Sequence, residues 1–465
     1  MKVNDKLNMT MLCDFYELTM AQGYFAKGYK DRITYFDLFF RRCPDGGGFC
    51  IAAGLEQVVQ YIQELHFSEE DIAYLRGREM FSEEFLEYLR NFKFTGDIWA
   101  MPEGTVVFPQ EPIITVRAPA IEAQLIETYL LLCINHQSLI ATKANRVVRA
   151  AQGRTVLEFG SRRAQGPDAA ILGARAAYIG GVNGTACTIS DQLFGVKASG
   201  TMAHAWVQMF DTEYEAFKAY CEMYPNTAVL LVDTYNTLKS GVPNAIRAFN
   251  DVLKPMGITK CGIRLDSGDM AYLSQKAREM LDEAGWTDCK ISVSNSLDEH
   301  LIQAVLRQGA KIDMFGVGER LITAKSEPVF GGVYKLVAVE EADGSSPPRS
   351  RSPRMWARSP LPTTRSSTAS SATTPARPLP TICASMTRWW TTPRISRFSI
   401  LRTPGSGRWS TTTPPRKFRC PSSRTVNWSM SCLPWRKSGT TPWPRWIPSG
   451  MRSSALTIPR PTTWT

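Results

Sequence analysis

Between residues 155 and 319 the chain keeps repeating one unit, a short apolar run followed by a helical stretch. The runs are TVLEF (155–159), AVLLV (228–232), KCGIRL (260–265), KISV (290–293) and KIDMF (311–315). Between them lie stretches such as TEYEAFKAYCEM, PNAIRAFNDVLK, MAYLSQKAREMLDEAG and LDEHLIQAVLRQG, whose apolar residues recur at helical spacing. Strand then helix, at intervals of roughly thirty residues, is the sign of parallel βα units. Such units lie in an open sheet or close into a barrel, and a barrel is the expectation here.

In a parallel barrel the working groups sit where the strands end. Those ends read GSRRAQGPDAA (160–170), DTYNT (233–237), DSGD (266–269), SNSLDE (294–299) and GVGE (316–319), and VKASGTMAH (196–204) supplies a sixth polar segment. Arg162, Arg163 and Arg264, with the backbone N–H groups of Gly166, Gly268, Gly316 and Gly318, suit an anionic, phosphorylated ligand. A guanidinium also fits a carboxylate in two hydrogen bonds, which an ammonium cannot do. Asp233, Asp266 and Asp269 could bind ribose hydroxyls or hold magnesium on a pyrophosphate, or could pair with the arginines as rim salt bridges. His204 follows the flexible turn Ser199, Gly200, Thr201. Its neutral imidazole can attack a phosphoryl group or carry a proton, although a lone histidine is more often structural.

Upstream, MTMLCDFYELTMAQGYFAKG has helical spacing with Gly28 where a C-terminal cap falls, and ITYFDLFFRRC alternates as a strand. The turn at 44–48, Pro-Asp-Gly-Gly-Gly, is either a plain turn or an anion cradle. Amphipathic helices follow over 52–96 and short strands over 94–119, so residues 1–120 read as an N-terminal α/β domain. A helical stretch from Ile121 to Gln152 puts Lys143, Arg146 and Arg149 on one face, as a solvated stripe or facing a phosphate. Residues 121–341 are then a helical linker plus the barrel.

Charge separates the last part of the chain from the rest. Through Asp343 the balance is −9; from Gly344 to the end it is +20, with no Asp, Glu or Tyr but nine of the twelve Trp and nineteen of the twenty-nine Pro. At ordinary usage on the order of fifteen acids belong in a stretch of that length, so residues 342–465 form a low-complexity Arg/Ser/Pro/Thr/Trp tail. The whole-chain charge of +11 therefore describes the tail and is no nucleic-acid signature of the body. The eleven cysteines show no metal-ligand spacing, the start lacks the apolar core of a signal peptide, and no run approaches a membrane span. The expected location is cytoplasmic, with no membrane or nucleic-acid partner.

CDFYELTMAQGYF, FFRRCPDGGGFCIAAGL, EFGSRRAQGPDAA, ASGTMAH, VDTYNTLKSGVPNAI, IRLDSGD, VSNSLDE and FGVGERLITAKSEPVFGGVYKLVAVE together resemble nicotinate phosphoribosyltransferase, in order over residues 9–341. The resemblance implies a type II phosphoribosyltransferase fold: an irregular parallel βα barrel beside the N-terminal α/β domain, working as a homodimer with active sites near the subunit interface. It implies that nicotinate and phosphoribosyl pyrophosphate give nicotinate mononucleotide and pyrophosphate with coupled ATP hydrolysis, the entry step of NAD salvage. Carried over by motif, His204 corresponds to the histidine phosphorylated by ATP, and Tyr16 to an aromatic that packs on the pyridine ring of the partner subunit's site. Thr201 and Arg264 correspond to nicotinate contacts. Arg162, Arg163, Asp266, Ser267, Gly268, Asp269, Ser294, Asn295, Gly316, Gly318 and Glu319 correspond to the phosphoribosyl pyrophosphate site, with Asp266 and Asp269 as magnesium candidates. Many relatives carry Thr where this chain has Glu319.

The tail lacks that resemblance. Back-translating Pro348 to Pro360 with permitted codons and reading from the third nucleotide gives EIKISENVGKIT, which resembles the family's continuation, so the tail reads as out of frame and disordered or non-native. Reading the nucleotides in three frames tests this. The alternatives are a nicotinamide or quinolinate phosphoribosyltransferase, or an inactive frameshifted remnant with a basic nucleic-acid-binding tail.

Overall fold

A computed structural model describes residues 8–341 and the short backbone strand Ser396–Phe398. The rest of the 342–465 tail lies outside the described residues, and with it the readings made of that tail. Two sheets organise the described chain. The first is antiparallel and takes strands β1 (Ile33–Phe40), β3 (Asp97–Ala100), β5 (Ile114–Pro119), β12 (Gly332–Val339) and β13 (Ser396–Phe398), in the order β12-β1-β5-β3-β13. A two-stranded pair, β2 (Cys50–Ile51) with β4 (Val106–Val107), stands apart from it. The first helix, Phe15–Ala26, stops as its sequence predicts: Gly28 takes φ +74°, its N–H reaches Phe25 O, and Tyr29 N–H reaches Tyr24 O.

β1 alternates as far as Phe36 and is then buried throughout, because partners lie on both its edges and helices close over it. Leu38 sits opposite Ile114 on one neighbour and Tyr334 on the other, and the Tyr334 ring stacks on Phe36 at 4.7 Å. Full burial of such side chains contributes about 1.5–3 kcal/mol each. The Tyr334 hydroxyl donates to Ala123 O at 2.9 Å, which satisfies its one polar atom inside the core.

The second sheet holds six parallel strands: β6 (Thr155–Glu158), β7 (Gly184–Thr185), β8 (Val229–Leu231), β9 (Gly262–Leu265), β10 (Lys290–Ser294) and β11 (Met314–Val317), in the order β7-β6-β11-β10-β9-β8. All five runs read as strands contain strands, although of KIDMF only Met314 and Phe315 lie in β11, which runs on to Val317; β7, two residues long, carries no period to find. β7 and β8 are the two edges. The 197–202 segment lies beside the β7 edge: it bridges to β7 through Thr185 and Ala198, and Thr201 and Met202 accept hydrogen bonds from Arg264 on β9. The result is the irregular parallel βα barrel that was expected.

The long helix Glu127–Ala150 runs between the two sheets and decides the fate of its basic stripe. Lys143 is buried, its Nζ 2.8 Å from Glu299, 3.3 Å from Asp45 and 2.7 Å from Ser326 Oγ; Arg146 lies 3.0 Å from Asp45. Neither a solvated stripe nor a phosphate face describes these two. The anion in the 44–48 turn is the chain's own Asp45 carboxylate, since a buried ammonium must be paired. Arg149 instead lies 5.6 Å over the Phe49 ring. Among the described residues, no helix is long and apolar enough to cross a membrane.

Candidate active site

Parallel barrels are ordinarily filled by layers of bulky branched side chains. Here several of the alternate positions that point inward are small or polar, Ser292 and Ser294 on β10 and Gly316 on β11, beside Arg264 on β9, Met314 on β11 and Leu157 on β6. They line a cavity of about 570 Å³ that runs from the Ser199–Gly200–Thr201 turn and Phe159 past Leu157 and Met314 to the N-terminal ends of the strands, at Ala228, Lys260 and Lys290. The intervening Ile263, Leu265, Ile291, Phe315 and Val317 are fully buried, so the sheet packs tightly on its other face. Gly316 is required there, since a Cβ on it would stand 2.6 Å from the Phe159 ring.

Arg264 is the hub. Its Nε donates to Ser294 Oγ at 2.9 Å, Nη1 to Thr201 Oγ1 at 3.0 Å and Met202 O at 3.1 Å, and Nη2 to Asp266 at 3.0 Å. Four of its five N–H groups are thus engaged, which leaves one on Nη2 for a ligand, and Arg264 itself lines the cavity. Ser294 Oγ also donates to Asp266. Asp266 is shared with His204, whose Nε2 lies 3.9 Å from Asp266 Oδ2 and 4.0 Å from Asp233 Oδ1. His204 Nδ1 is 3.1 Å from Thr234 Oγ1, and the ring is 40% exposed, open to an incoming group.

Asp233 holds this side of the mouth together. Its Oδ2 accepts from Asp266 N–H at 2.9 Å and Ser267 Oγ at 2.6 Å, while the buried Oδ1 has no partner and faces the imidazole. The approach of Asp233 to His204, and the contact of Thr234 with its Nδ1, escaped the sequence. Both residues lie in DTYNT directly after β8, where the strand-end rule points.

The remaining candidates divide. Asp269 Oδ1 caps the helix Met270–Glu283 by accepting from Ala271 and Tyr272 N–H, and Gly268 takes φ +84° beside it. Asn295 and Ser296 both adopt left-handed backbone, φ +85° and +49°, at the end of β10; consecutive outliers of this kind in non-glycine residues cluster at binding loops. On the next strand ends, Arg163 and Lys325 both pair with Glu319, just after Gly318. Arg162 is exposed in the Ser161–Arg163 turn beside them. Rim pairing among Asp, Glu and Arg, the plain alternative, is therefore real at Arg264 and Arg163. Tyr16 does not join the mouth within this chain: its hydroxyl bonds to Glu127, its ring is 43% exposed, and burial with that carboxylate raises its pKa.

A hollow parallel βα barrel whose strand ends gather a histidine, a pre-set guanidinium and glycine-bearing loops defines an enzyme of the phosphate-binding α/β class. The chain belongs to the nicotinate phosphoribosyltransferase family. The family models for the NAPRTase N-terminal domain and the NAPRTase family match residues 11–135 and 155–340. The chain is similar to nicotinate phosphoribosyltransferase of Bacillus subtilis, 50% identical over 336 residues, covering 72% of this chain and 68% of that one. It is 46% identical to a nicotinate phosphoribosyltransferase of Mycobacterium tuberculosis over 332 residues, 71% of this chain and 70% of the other. Among solved structures, human nicotinic acid phosphoribosyltransferase superposes with a TM-score of 0.64 at 30% identity, over 73% of this chain and 76% of that one.

Proposed function

We propose that this chain joins nicotinate to phosphoribosyl pyrophosphate, releasing nicotinate mononucleotide and pyrophosphate, with ATP hydrolysis coupled through His204, as the entry step of NAD salvage. The observation that carries this reading is Asp266, which touches Arg264 on one side and faces His204 on the other. The group assigned to the carboxylate and the one assigned as nucleophile thus lie on either side of one carboxylate, which supports their acting in one cleft.

The open N–H of Arg264 and the hydroxyl of Thr201 make a two-point donor for the nicotinate carboxylate. Nicotinamide offers a neutral amide in that place and forgoes the charge-assisted bond that a carboxylate makes to the remaining N–H of Arg264, whose other partners include Asp266, which argues against the nicotinamide alternative. The pyridine nitrogen gives its lone pair to C1 of the ribose as the C–O bond to pyrophosphate breaks. Ser267, Gly268, Asn295, Gly316 and Gly318 position the sugar and phosphates, with Arg162 and Arg163 over the leaving group. With Thr234 accepting from Nδ1–H, the Nε2 of His204 keeps its lone pair to receive the terminal phosphoryl of ATP. Asp233 and Asp266 then offset the positive charge that grows on the ring.

Magnesium fits as a shared ion. Asp266 and Asp269 each commit one oxygen to the protein and keep another, and among the described residues no cluster of three or more His, Cys, Asp or Glu could hold a metal unaided. One or two carboxylates plus substrate oxygens is the arrangement this ion favours, and when bound it would neutralise departing pyrophosphate. A second copy of the chain supplies Tyr16 in this reading: Leu12, Phe15, Tyr16 and Met20 form an exposed apolar group around the first helix, suited to burial in a homodimer.

The test uses ATP labelled at the γ-phosphate. An acid-labile label on the full chain that is absent from His204→Ala supports the assignment, as does loss of ATP stimulation with some uncoupled turnover left. Equal labelling of the variant, or an unchanged ATP requirement, rejects it.

A further inference from the structure

One group at the mouth has the wrong charge for the ligand assigned there. Glu319 follows Gly318 and opens the short helix Glu319–Ile322, on the strand end where Arg163 and the glycine amides gather. Its Oε2 pairs with Arg163 and its Oε1 lies 2.5 Å from Lys325 Nζ. A pyrophosphate brought to the same cations meets that carboxylate first, and like charges a few ångströms apart repel. The pair does not look structural. Both cations are 58% exposed, Glu319 is 28% exposed, and exposed ion pairs of this kind stabilise a fold little. The packing of this loop comes from elsewhere: Arg320 pairs with Asp298, and Leu321 and Ile322 are fully buried. The short helix would keep its place without the Glu319 carboxylate. The cations also hold that carboxyl below its ordinary range, Lys325 first and Arg163 second, so it stays charged wherever the enzyme works.

We propose that Glu319 is a carboxylate placeholder for phosphate, neutralising Arg163 and Lys325 in the empty site and giving them up when phosphoribosyl pyrophosphate binds. The proposal rests on the reading of this mouth given above and adds to it a role opposite to direct contact. Glu319 sets the affinity for the sugar pyrophosphate by competing for its cations, and it makes Lys325, absent from the sequence-based candidates, a phosphate-binding residue. Both oxygens must leave before two phosphate oxygens can arrive, so the competition is one for one.

The direct measurement is calorimetric binding of phosphoribosyl pyrophosphate, and of pyrophosphate alone, to the full chain and to Glu319→Gln, Glu319→Asp and Lys325→Ala. Glu319→Gln keeps the shape and removes the charge. It should bind both ligands about three- to tenfold more tightly, with a steeper loss of affinity as salt rises, because two cations are uncovered. Glu319→Asp should stay near the parent, and Lys325→Ala should bind more weakly. In the steady state the ratio of the KM for phosphoribosyl pyrophosphate to that for nicotinate should fall in Glu319→Gln. A merely structural role would shift the melting temperature without that split. Unchanged or weaker binding by Glu319→Gln overturns the proposal alone. Failure of the parent chain to bind either ligand overturns both the proposal and the reading of the mouth.

Discussion

The two sheets of this chain use the same alternation of side chains for opposite ends. In the antiparallel sheet, inward positions of β1 carry Phe36, Leu38 and Phe40, and partners on both sides close over them. In the parallel sheet, the corresponding positions of β10 and β11 carry Ser292, Ser294 and Gly316 beside the one large residue Met314, and they line a cavity about 570 Å³ in volume. One sheet draws its stability from its interior. The other draws stability from its outer face, where Ile263, Leu265, Ile291 and Phe315 are fully buried, and so frees its interior to hold a ligand. The difference implies that substitutions inside the first should change stability without changing affinity, and substitutions inside the second should do the reverse.

The largest effect tests the filled side. Leu38→Ala removes a fully buried side chain between Ile114 and Tyr334, and should cost about 2–5 kcal/mol in denaturant unfolding while leaving the KM values unchanged below the transition. A comparable rise in KM would break the division between the sheets.

The opposite face of β1, also buried, carries a carboxylate. Asp37 on β1 is 2% exposed and accepts from Thr115 Oγ1 at 2.7 Å, and burial pushes its carboxyl up to about 6. The folded chain therefore holds that proton more tightly than the unfolded one. Stability from this group is complete below about pH 4 and is lost as pH rises through 6. Asp37→Asn, which can still accept from Thr115, should gain about 1–3 kcal/mol at neutral pH and flatten the decline between about pH 4 and 6. Thermal melts across that range check it, and a parallel, undiminished decline would count against it.

The smallest effect sharpens the hollow side. Ser292→Val adds apolar volume to the cavity wall and should hold or raise stability by up to about 1 kcal/mol while raising the KM for nicotinate several-fold. A loss of stability with unchanged KM would mean that Ser292 is packed as a core residue.

Most of the barrel was legible because its strands are short apolar runs followed by polar, glycine-bearing ends, and position along such a run predicts which residues reach the mouth. That logic pointed to His204, Thr201, Asp233, Arg264, Asp266, Ser267 and Ser294, which fold into one connected set. It could not find β7, since two residues cannot display a period, nor foresee that GVYKLVAV would pair with β1, some three hundred residues earlier. Nor could it decide the fate of Lys143 and Arg146, because the carboxylates that neutralise them come from Asp45 and Glu299, distant in sequence and adjacent only after folding. The unpaired oxygen of Asp233 belongs to the same class: the residue was visible, its orientation toward His204 was not.

The central claim is that Arg264 and His204 face one cleft that takes a pyridine carboxylate together with a sugar pyrophosphate. The most direct measurement follows pyrophosphate release and mononucleotide formation by the full chain with phosphoribosyl pyrophosphate and ATP, offering nicotinate or nicotinamide. The account predicts turnover with nicotinate, at least about a hundredfold less with nicotinamide, and loss of that preference in Arg264→Met. Equal use of the two pyridines by the parent chain, or a preference that survives the removal of Arg264, would contradict it.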